Sequence, residues 1–246
     1  MSLSGHRALI TGAGQGIGRA CAEVFAAQGA DLVLLDRNPS TLREVEEELK
    51  HAGSKVMAVA VDLMDPGDLH RALETVHSSG LVDILVNNAG FDRPGTSERI
   101  HRADLEAVLQ IHLVVPLLLV QEFLPAMRSA RWGRIINVGS IYGLIGAKGE
   151  LAYSTAKAGL IGLSKAVARE AGQDGVTVNV VLPGLTRTPT IEAFMAQKYK
   201  DRIVADTPLN RMAEPEEIAK VIAFLASDDA SFVTAAAIPV SGGWGI

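Results

Sequence analysis

Three side chains in the middle of the sequence have the types and spacing to move a proton. Tyr153 and Lys157 are four positions apart in AYSTAKAGL, which places them on one face of a helix. A free tyrosine has a pKa near ~10, and a lysine ammonium ~5 Å away would lower that pKa by about 2. Ser140 ends the strand-like NVGS, 13 residues before Tyr153, so its hydroxyl could hold a substrate oxygen nearby. Together the three residues predict an acid–base site.

A glycine-rich turn near the N-terminus predicts a dinucleotide site. TGAGQGIG (11–18) follows an apolar run and precedes an amphipathic one, with Gly12, Gly16 and Gly18 in the pattern G-x-x-x-G-x-G. A turn without side chains lets backbone N–H groups approach a pyrophosphate at the positive end of a helix. The commoner pattern G-x-G-x-x-G does not fit this turn from either start.

An acidic residue predicts which dinucleotide is bound. Asp36 ends the second strand-like run, 20 positions after Gly16, where a carboxylate can accept hydrogen bonds from the adenosine ribose of NAD. It would repel the 2′-phosphate of NADP by about 4 kcal/mol per unit charge at ~4 Å, and Arg37 could offset part of that. We therefore expect NAD, with NADP as the less favoured cofactor. The alternative is that Asp36 only caps the turn that follows it.

Two kinds of segment alternate along the chain and would position these residues. Short Val/Ile/Leu-rich runs predict strands buried on both faces, at 6–11, 31–36, 55–62, 82–88, 133–140, 176–183 and around 236–242. Longer amphipathic runs predict helices at 18–28, 40–50, 66–77, 104–130, 152–172 and 215–227. This order predicts an α/β fold, a doubly wound parallel sheet (Rossmann fold) of about seven strands with helices on both faces, as a single domain over 1–246. The polar stretch 186–211 would form a small substrate lobe over the carboxyl edge of the sheet.

The totals exclude several classes of protein. The net charge of −5 predicts no broad basic surface for nucleic acid. The longest apolar run, LVVPLLLV (113–120), is too short to span a bilayer, and MSLSGHR leaves no room for a signal peptide. The single cysteine, Cys21, cannot form an internal disulfide. We expect a soluble, cytoplasmic protein that binds a small molecule, with no metal site and no nucleic-acid or membrane partner.

The motifs together resemble those of the short-chain dehydrogenase/reductase family. The resemblance runs from Leu9 to the terminal SGGWGI and includes TGAGQGIG, NNAG (87–90), Ser140, YSTAK (153–157) and PGLTRT (183–188). It implies an NAD(P)-dependent oxidoreductase with Tyr153 as general acid/base. Lys157 would hold the nicotinamide ribose and lower the pKa of the phenol, and Ser140 would orient the substrate. Family members are often tetramers that use the helix carrying this tyrosine as an interface, so a homotetramer is expected.

The resemblance also implies the residues around the cofactor and the substrate. The glycine loop would contribute Gly12, Gln15, Gly16, Ile17 and Gly18. The adenosine would lie along Asp36, Arg37, Asp62, Leu63, Asn88, Ala89 and Gly90, and the nicotinamide by Tyr153, Lys157, Pro183, Gly184, Leu185 and Thr188. Apart from the resemblance, we expect the substrate pocket to be flanked by Ser140, Ile141, Tyr153, Arg93 and Glu150, although no motif fixes the partners of Arg93, Ile141 and Glu150. Local alternatives are a strand end at Asp62 and a simple turn at Pro183-Gly184.

One position departs from the family pattern. His112, in VLQIHLVVP (108–116), stands where the family usually has an asparagine whose backbone carbonyl holds a water of a proton relay. Pro116 has no N–H to bond to the carbonyl of His112, and its ring crowds that carbonyl. We therefore expect the relay's backbone acceptor to survive and the imidazole to add a group that titrates near neutral pH. The alternative is that His112 fills space and Pro116 only kinks the helix.

Three functions remain open. We favour an NAD-dependent dehydrogenase that oxidises a secondary alcohol of a sugar, polyol or hydroxy acid. The alternative is an NADPH-dependent 3-oxoacyl-[acyl-carrier-protein] reductase, against which Asp36 and the uncharged Gln15 argue. A catalytically silent nucleotide-binding regulator is the third, and the presence of all three acid–base residues disfavours it. The segment 187–211 has a net charge of +2, which would favour an anionic substrate unless those charges are simply solvated.

Overall fold

The strands form one parallel sheet whose order reverses at its centre. In a computed structural model that describes residues Met1 to Ile246, the strands are β1 (Arg7–Thr11), β2 (Asp31–Asp36), β3 (Val56–Ala60), β4 (Ile84–Asn87), β5 (Gly133–Val138), β6 (Val176–Pro183) and β7 (Ala237–Val240). Their order is β3-β2-β1-β4-β5-β6-β7, and all neighbours are parallel. Between β1 and β4 the connections diverge, and ligands of open α/β sheets bind at the carboxyl side of such a point.

Helices cover both faces of this sheet. They are α1 (Gly16–Ala27), α2 (Pro39–His51), α3 (Pro66–Ser78), α4 (Arg102–Leu109), α5 (Val115–Ala130), α6 (Tyr142–Ile145), α7 (Leu151–Ala171), α8 (Pro189–Phe194), α9 (Gln197–Ala205) and α10 (Pro215–Ala226). One apolar core joins the sheet to α1, α2 and α10, and a second joins it to α3, α5 and α7. Leu32 and Leu34 of β2 enter the first core and Val33 and Leu35 the second, so the strand needs a continuous apolar run. The predicted doubly wound fold is confirmed.

The long helix predicted at 104–130 is interrupted beside the unusual histidine. A π-helical turn, Gln110–Val114, separates α4 from α5, and the N–H of Val115 donates to the carbonyl of Gln110. Pro116 follows in the first turn of α5, where a missing N–H is tolerated. The helix is therefore widened, rather than simply kinked, just before the proline.

The whole helical stretch is much longer than the apolar run 113–120 within it. Arg102–Ala130 is long and apolar enough to cross a bilayer by length and composition, but half of its most apolar 18-residue window is buried inside the fold. Val115, Leu119 and Phe123 of α5 lie in the core against the sheet. A core helix passes the same test of length and composition as a membrane span.

The polar stretch 186–211 forms the predicted lobe above the glycine loop. It contains α8 and α9, and α8 begins with the side chain of Thr188 accepting from the N–H of Ile191 at 3.3 Å. Methyl Cγ2 of Thr188 is so close to Gly16 that a Cβ there would be 3.2 Å from it. The short α6, which follows Ser140, was not predicted.

Gly18 is the tightest point between α1 and the loop, and its substitution tests the packing. A Cβ on Gly18 would overlap the carbonyl oxygen of Gly12 and lie 2.6 Å from Nδ2 of Asn88. We expect Gly18→Ala to lower the free energy of unfolding by ~1–3 kcal/mol, measured by urea denaturation, because the backbone has to move apart. Gly172→Ala is the control, since a Cβ on Gly172 meets nothing within 4 Å. Equal stability of the two variants would contradict the close approach.

Candidate active site

One cleft at the carboxyl edge of the sheet gathers the predicted site residues. Its cavity, of about 460 Å³, is lined by Asp36 and Arg37 at one end and by Ser140, Tyr153 and Trp244 at the other. Residues that follow β1, β2, β4, β5 and β6 contribute to its wall. The predicted dinucleotide and acid–base residues therefore share a single space.

The glycine loop leaves room in this cleft for a phosphate group. Gly12 and Gly16 have φ values of +67° and +57°, in the left-handed region that glycine adopts without strain. A Cβ on Gly12 would lie 2.9 Å from the Cα of Ala89. The helix α1 begins at Gly16, and its positive N-terminal end lies at the cavity wall formed by Gly16 and Ile17. The residues present fit a pyrophosphate.

Asn88 connects the loop to β4. Its Nδ2 donates to the carbonyl oxygens of Thr11 at 2.9 Å and Gly12 at 3.2 Å, and its backbone N–H donates to Oγ1 of Thr11 at 3.0 Å. These bonds satisfy the carbonyls at the end of β1, which the sheet itself leaves unpaired. Asn88 thus fixes the loop's shape from behind while it also lines the cavity.

Asp36 is held in place by two backbone donors. Its Oδ2 accepts from the N–H of Gly14 at 2.8 Å and its Oδ1 from the N–H of Asn38 at 2.9 Å. The helix α2 is capped by the side chain of Asn38 rather than by Asp36, and Asp36 lines the cavity. Each carboxylate oxygen has a further lone pair, so ribose hydroxyls can still donate to it.

The acid–base residues meet at the other end of the cleft. Lys157 is only 3% exposed, and its Nζ donates to the carbonyl oxygen of Val138 at 2.6 Å and lies 5.4 Å from the ring centre of Tyr153. Ser140 and the phenol of Tyr153 line the same end of the cavity, and Oγ of Ser140 accepts from the N–H of Tyr142 at 3.1 Å. This arrangement can hold a hydroxyl or carbonyl oxygen between a serine and a phenol.

Burial keeps the charged forms of both titrating groups unfavourable. It lowers the pKa of Lys157 to about 7. It also raises the pKa of Tyr153 above its ordinary value, an effect that the Ser140 hydrogen bond partly opposes and that Asp92 and Glu150 reinforce. The expectation that Lys157 lowers the phenol's pKa is therefore wrong for the protein alone. It treated the lysine as fully charged and left out the cost of desolvation.

His112 lies against the phenol as a neutral ring. It is 4% exposed, its Nε2 is 2.7 Å from the carbonyl oxygen of Phe91, and its ring meets that of Tyr153 edge-on with 5.2 Å between centroids. The carbonyl requires an N–H on Nε2, which leaves Nδ1 without a proton or a partner. Burial, and then the Lys157 charge, lower the pKa of His112 well below its usual range. The expectation that it titrates near neutral pH is wrong.

Three of the sequence-predicted site residues do not reach the cavity wall. Arg93 is exposed and extends to Asp104, 3.7 Å away. Ile141 is fully buried beneath the site against Val180 and Leu182, and Gly18 lies behind the loop. The others line the cavity: Gly12, Gln15, Gly16, Ile17, Asp36, Arg37, Asp62, Leu63, Asn88, Ala89, Gly90, His112, Ser140, Glu150, Tyr153, Lys157, Pro183, Gly184, Leu185 and Thr188.

Several residues of the cavity wall were missed. Asp92 lies two positions after the NNAG motif, Tyr142 two after Ser140, and Trp244 in the SGGWGI that follows β7. All follow carboxyl ends of strands, and that rule could have identified them. The lobe adds the apolar side chains Ile191, Met195 and Ile203.

Comparison with known proteins places the chain in a family. A family model described as enoyl-(acyl carrier protein) reductase matches residues 12–245. The 3-oxoacyl-[acyl-carrier-protein] reductases of Aquifex aeolicus and Escherichia coli are each 38% identical, over 249 and 244 residues, covering 99% of this chain and 98% of each relative. The chain therefore belongs to the short-chain dehydrogenase/reductase family, as the motifs predicted. It is an oxidoreductase of a family that binds a nicotinamide cofactor.

Solved structures of similar proteins share the whole fold. Levodione reductase superposes with a TM-score of 0.93 at 31% identity, covering 98% of this chain and 97% of that one. A provisionally assigned NAD(P)-dependent gluconate 5-dehydrogenase from Beutenbergia cavernae, with bound NADP, gives 0.93 at 34% identity and covers 99% and 98%. The likeness extends over the lobe as well as the sheet.

Proposed function

We propose that this chain is an NAD-dependent dehydrogenase that oxidises a secondary alcohol of a small polar substrate, a sugar, polyol or hydroxy acid, to a ketone. The observation that carries the proposal is the meeting of Ser140, Tyr153 and Lys157 in the cleft that also contains the glycine loop. Asp36, at the far end of the same cleft, supports NAD.

The residues act on the substrate oxygen in sequence. Bound NAD supplies the ring that accepts the hydride. Ser140 orients the substrate hydroxyl, and the ionised form of the Tyr153 phenol takes the hydroxyl proton. Lys157 holds the nicotinamide ribose and, when charged, stabilises the phenolate. Because burial raises the pKa of Tyr153, oxidation is favoured by alkaline pH.

A backbone relay behind Lys157 is part of the proposal. The π-helical turn around His112 and the missing N–H of Pro116 support a free carbonyl at His112. That oxygen would hold a water that passes protons between Lys157 and solvent. The imidazole, neutral and packed on Tyr153, would keep the phenol in position and would not titrate itself.

The second candidate is an NADPH-dependent 3-oxoacyl-[acyl-carrier-protein] reductase. The names of the relatives at 38% identity favour it, and the gluconate dehydrogenase neighbour contains NADP. Asp36 and the uncharged Gln15 oppose it, since both line the cavity where a 2′-phosphate would need positive charge. Arg37 is the one basic side chain at that end.

We further propose a single-domain, cytoplasmic enzyme that assembles as a homotetramer. Val114, Leu117 and Leu118 form an exposed apolar face on the helix beside α7, which a second copy would cover. The net charge of −5 supports neither a nucleic-acid nor an acidic-membrane partner.

The first prediction concerns the phenol. We expect Tyr153→Phe to reduce kcat at least about 100-fold with NAD binding retained, because the variant loses only the proton acceptor. Turnover at alkaline pH and NAD affinity by calorimetry are the measurements. Tyr199→Phe, on an exposed tyrosine of the lobe, is the matched control and should be fully active. If the wild-type protein binds NAD but exchanges hydride with no alcohol or ketone, the regulator hypothesis replaces this one.

The second prediction concerns the cofactor. We expect the wild-type enzyme to have a kcat/KM for NAD at least about tenfold above that for NADP, and Asp36→Asn to narrow the ratio by removing the repelling charge. Asp31→Asn, at the opposite end of β2, should leave the ratio unchanged. A marked wild-type preference for NADPH would instead support the acyl reductase.

The third prediction concerns the relay. We expect Pro116→Ala to lower kcat several-fold, because the new N–H can bond to the carbonyl of His112. His112→Asn should leave the pH profile of kcat unchanged, since the imidazole stays neutral over the working range. Full activity of Pro116→Ala with a wild-type pH profile would exclude the relay.

A further inference from the structure

The substrate end of the cleft has negative charge without a matching cation. Asp92 and Glu150 both line this end, and Lys157 is the only lysine or arginine there. The ammonium of Lys157 is already bound to the carbonyl of Val138. Arg93, next to Asp92 in sequence, turns outward to Asp104.

The two carboxyl groups are brought together by the backbone. Gly95, in the loop after β4, forms an isolated parallel bridge with Glu150, and its N–H donates to the carbonyl of Gly149 at 2.7 Å. The side chains of Asp92 and Glu150 approach closely enough for a hydrogen bond when one of the two carboxyl groups is protonated. Oε2 of Glu150 is buried and has no partner in the protein.

One proton shared by this pair leaves a single negative charge. Burial, followed by the hydrogen bond and the charge of Asp92, raises the pKa of Glu150 to about 8. Below that pH, Glu150 is the protonated partner. The one proton lies between the two carboxyl groups, so the pair offers acceptor sites to a substrate.

The other groups facing the pair add no charge. Tyr142 and Tyr153 are neutral, because burial raises the pKa of each and the two carboxyl groups raise it further. His112, 4% exposed, lines the same cavity as a neutral ring with an unpartnered Nδ1. Trp244 packs edge-on against Tyr142, 5.4 Å between centroids, and forms an apolar wall.

The basic residues of the lobe do not compensate for the pair. Arg187 forms ion pairs with Glu192 at 3.1 Å and Glu214 at 3.0 Å, and Lys200 with Glu192 at 2.6 Å. Together with Arg211 they line a separate depression, and none of them lines the main cavity. The positive charge of the lobe is thus largely neutralised by neighbouring acidic side chains and does not favour an anionic substrate.

We infer that the Asp92–Glu150 pair selects a neutral, polyol-like substrate, whose hydroxyl beside the reacting carbon donates a hydrogen bond to the pair. The inference rests on the proposed dehydrogenase function and narrows its substrate class. The free carboxyl oxygens of the pair accept from that hydroxyl, while the proton of Glu150 stays in the bond to Asp92. A carboxylate at that position meets a like charge, and a 3-oxoacyl thioester has no donor to offer there.

The test compares D-glucitol with D-gluconate, a neutral and an anionic chain of equal length, each with NAD. We expect the wild-type kcat/KM to be at least about tenfold higher for D-glucitol. The ratio should increase above pH 8, where Glu150 loses its proton and the pair gains a second negative charge.

A pair of isosteric substitutions removes the charge without removing the shape. In the double variant Asp92→Asn/Glu150→Gln we expect the ratio to fall to within about threefold of unity and to lose its pH dependence. Asp104→Asn removes a carboxylate outside the cavity and should keep the wild-type ratio. A wild-type ratio near unity, or a double variant with the wild-type ratio, overturns the inference.

If the proposed dehydrogenase function is itself wrong, the outcome differs, because neither D-glucitol nor D-gluconate is then oxidised. Thermal unfolding of the NAD-loaded enzyme decides between the two in that case. Stabilisation by D-glucitol alone supports selection by the pair and overturns only the reaction. Stabilisation by D-gluconate, or by neither compound, overturns the pair's role as well.

Discussion

A parallel sheet covered on both faces leaves only the ends of its strands for polar chemistry. The five inner strands of this protein are almost wholly buried, the edge strands β3 and β7 only partly, and their carboxyl ends open on one side into the same cleft. Unpaired carbonyls there must find partners. Asn88 supplies them for Thr11 and Gly12, and Lys157 for Val138. The two residues that satisfy these strand ends are therefore also the two that shape the proposed cofactor and proton-transfer sites.

The same enclosure sets the charge state of the site. Lys157 and Tyr153 are both pushed towards their neutral forms, and His112 is neutral as well. At the other end of the cleft, the carboxylate oxygens of Asp36 accept from the backbone N–H groups of Gly14 and Asn38. A positive cofactor ring brought beside the phenol would thus act in a medium with little competing charge, where its field is strongest.

Most of the fold could be predicted because the spacing of apolar residues and the composition of each segment indicate which side chains are buried. The range 31–36 predicted for β2 equals its observed bounds, and 66–77 differs from α3 by one residue. The glycine loop and the helical spacing of Tyr153 and Lys157 are also found in the structure as the sequence predicted. Such patterns depend only on residues that are close together in the sequence, so they can be recognised without the structure.

The errors arose where the answer depends on neighbours across the fold. Nothing in FDRP shows that Asp92 faces the cleft while Arg93 turns outward to Asp104. Spacing brought Lys157 near the phenol, but desolvation, which decides the sign of the pKa shift, is a property of the closed core. Trp244 lies 91 residues beyond Tyr153 and reaches the site only because β7 is parallel to β6.

The widened turn Gln110–Val114 also corrects the rotational position of the helix that follows it. Each residue of an α-helix turns the chain by ~100° around the helix axis. One additional residue would therefore rotate all later side chains by that angle. Because the π-helical turn accommodates the additional residue, the side chains of Val115, Leu119 and Phe123 point at the sheet. A single-residue deletion in this turn would restore a regular α-helix and leave that apolar stripe on the sheet, whereas a deletion within α5 would rotate the residues after it by ~100°.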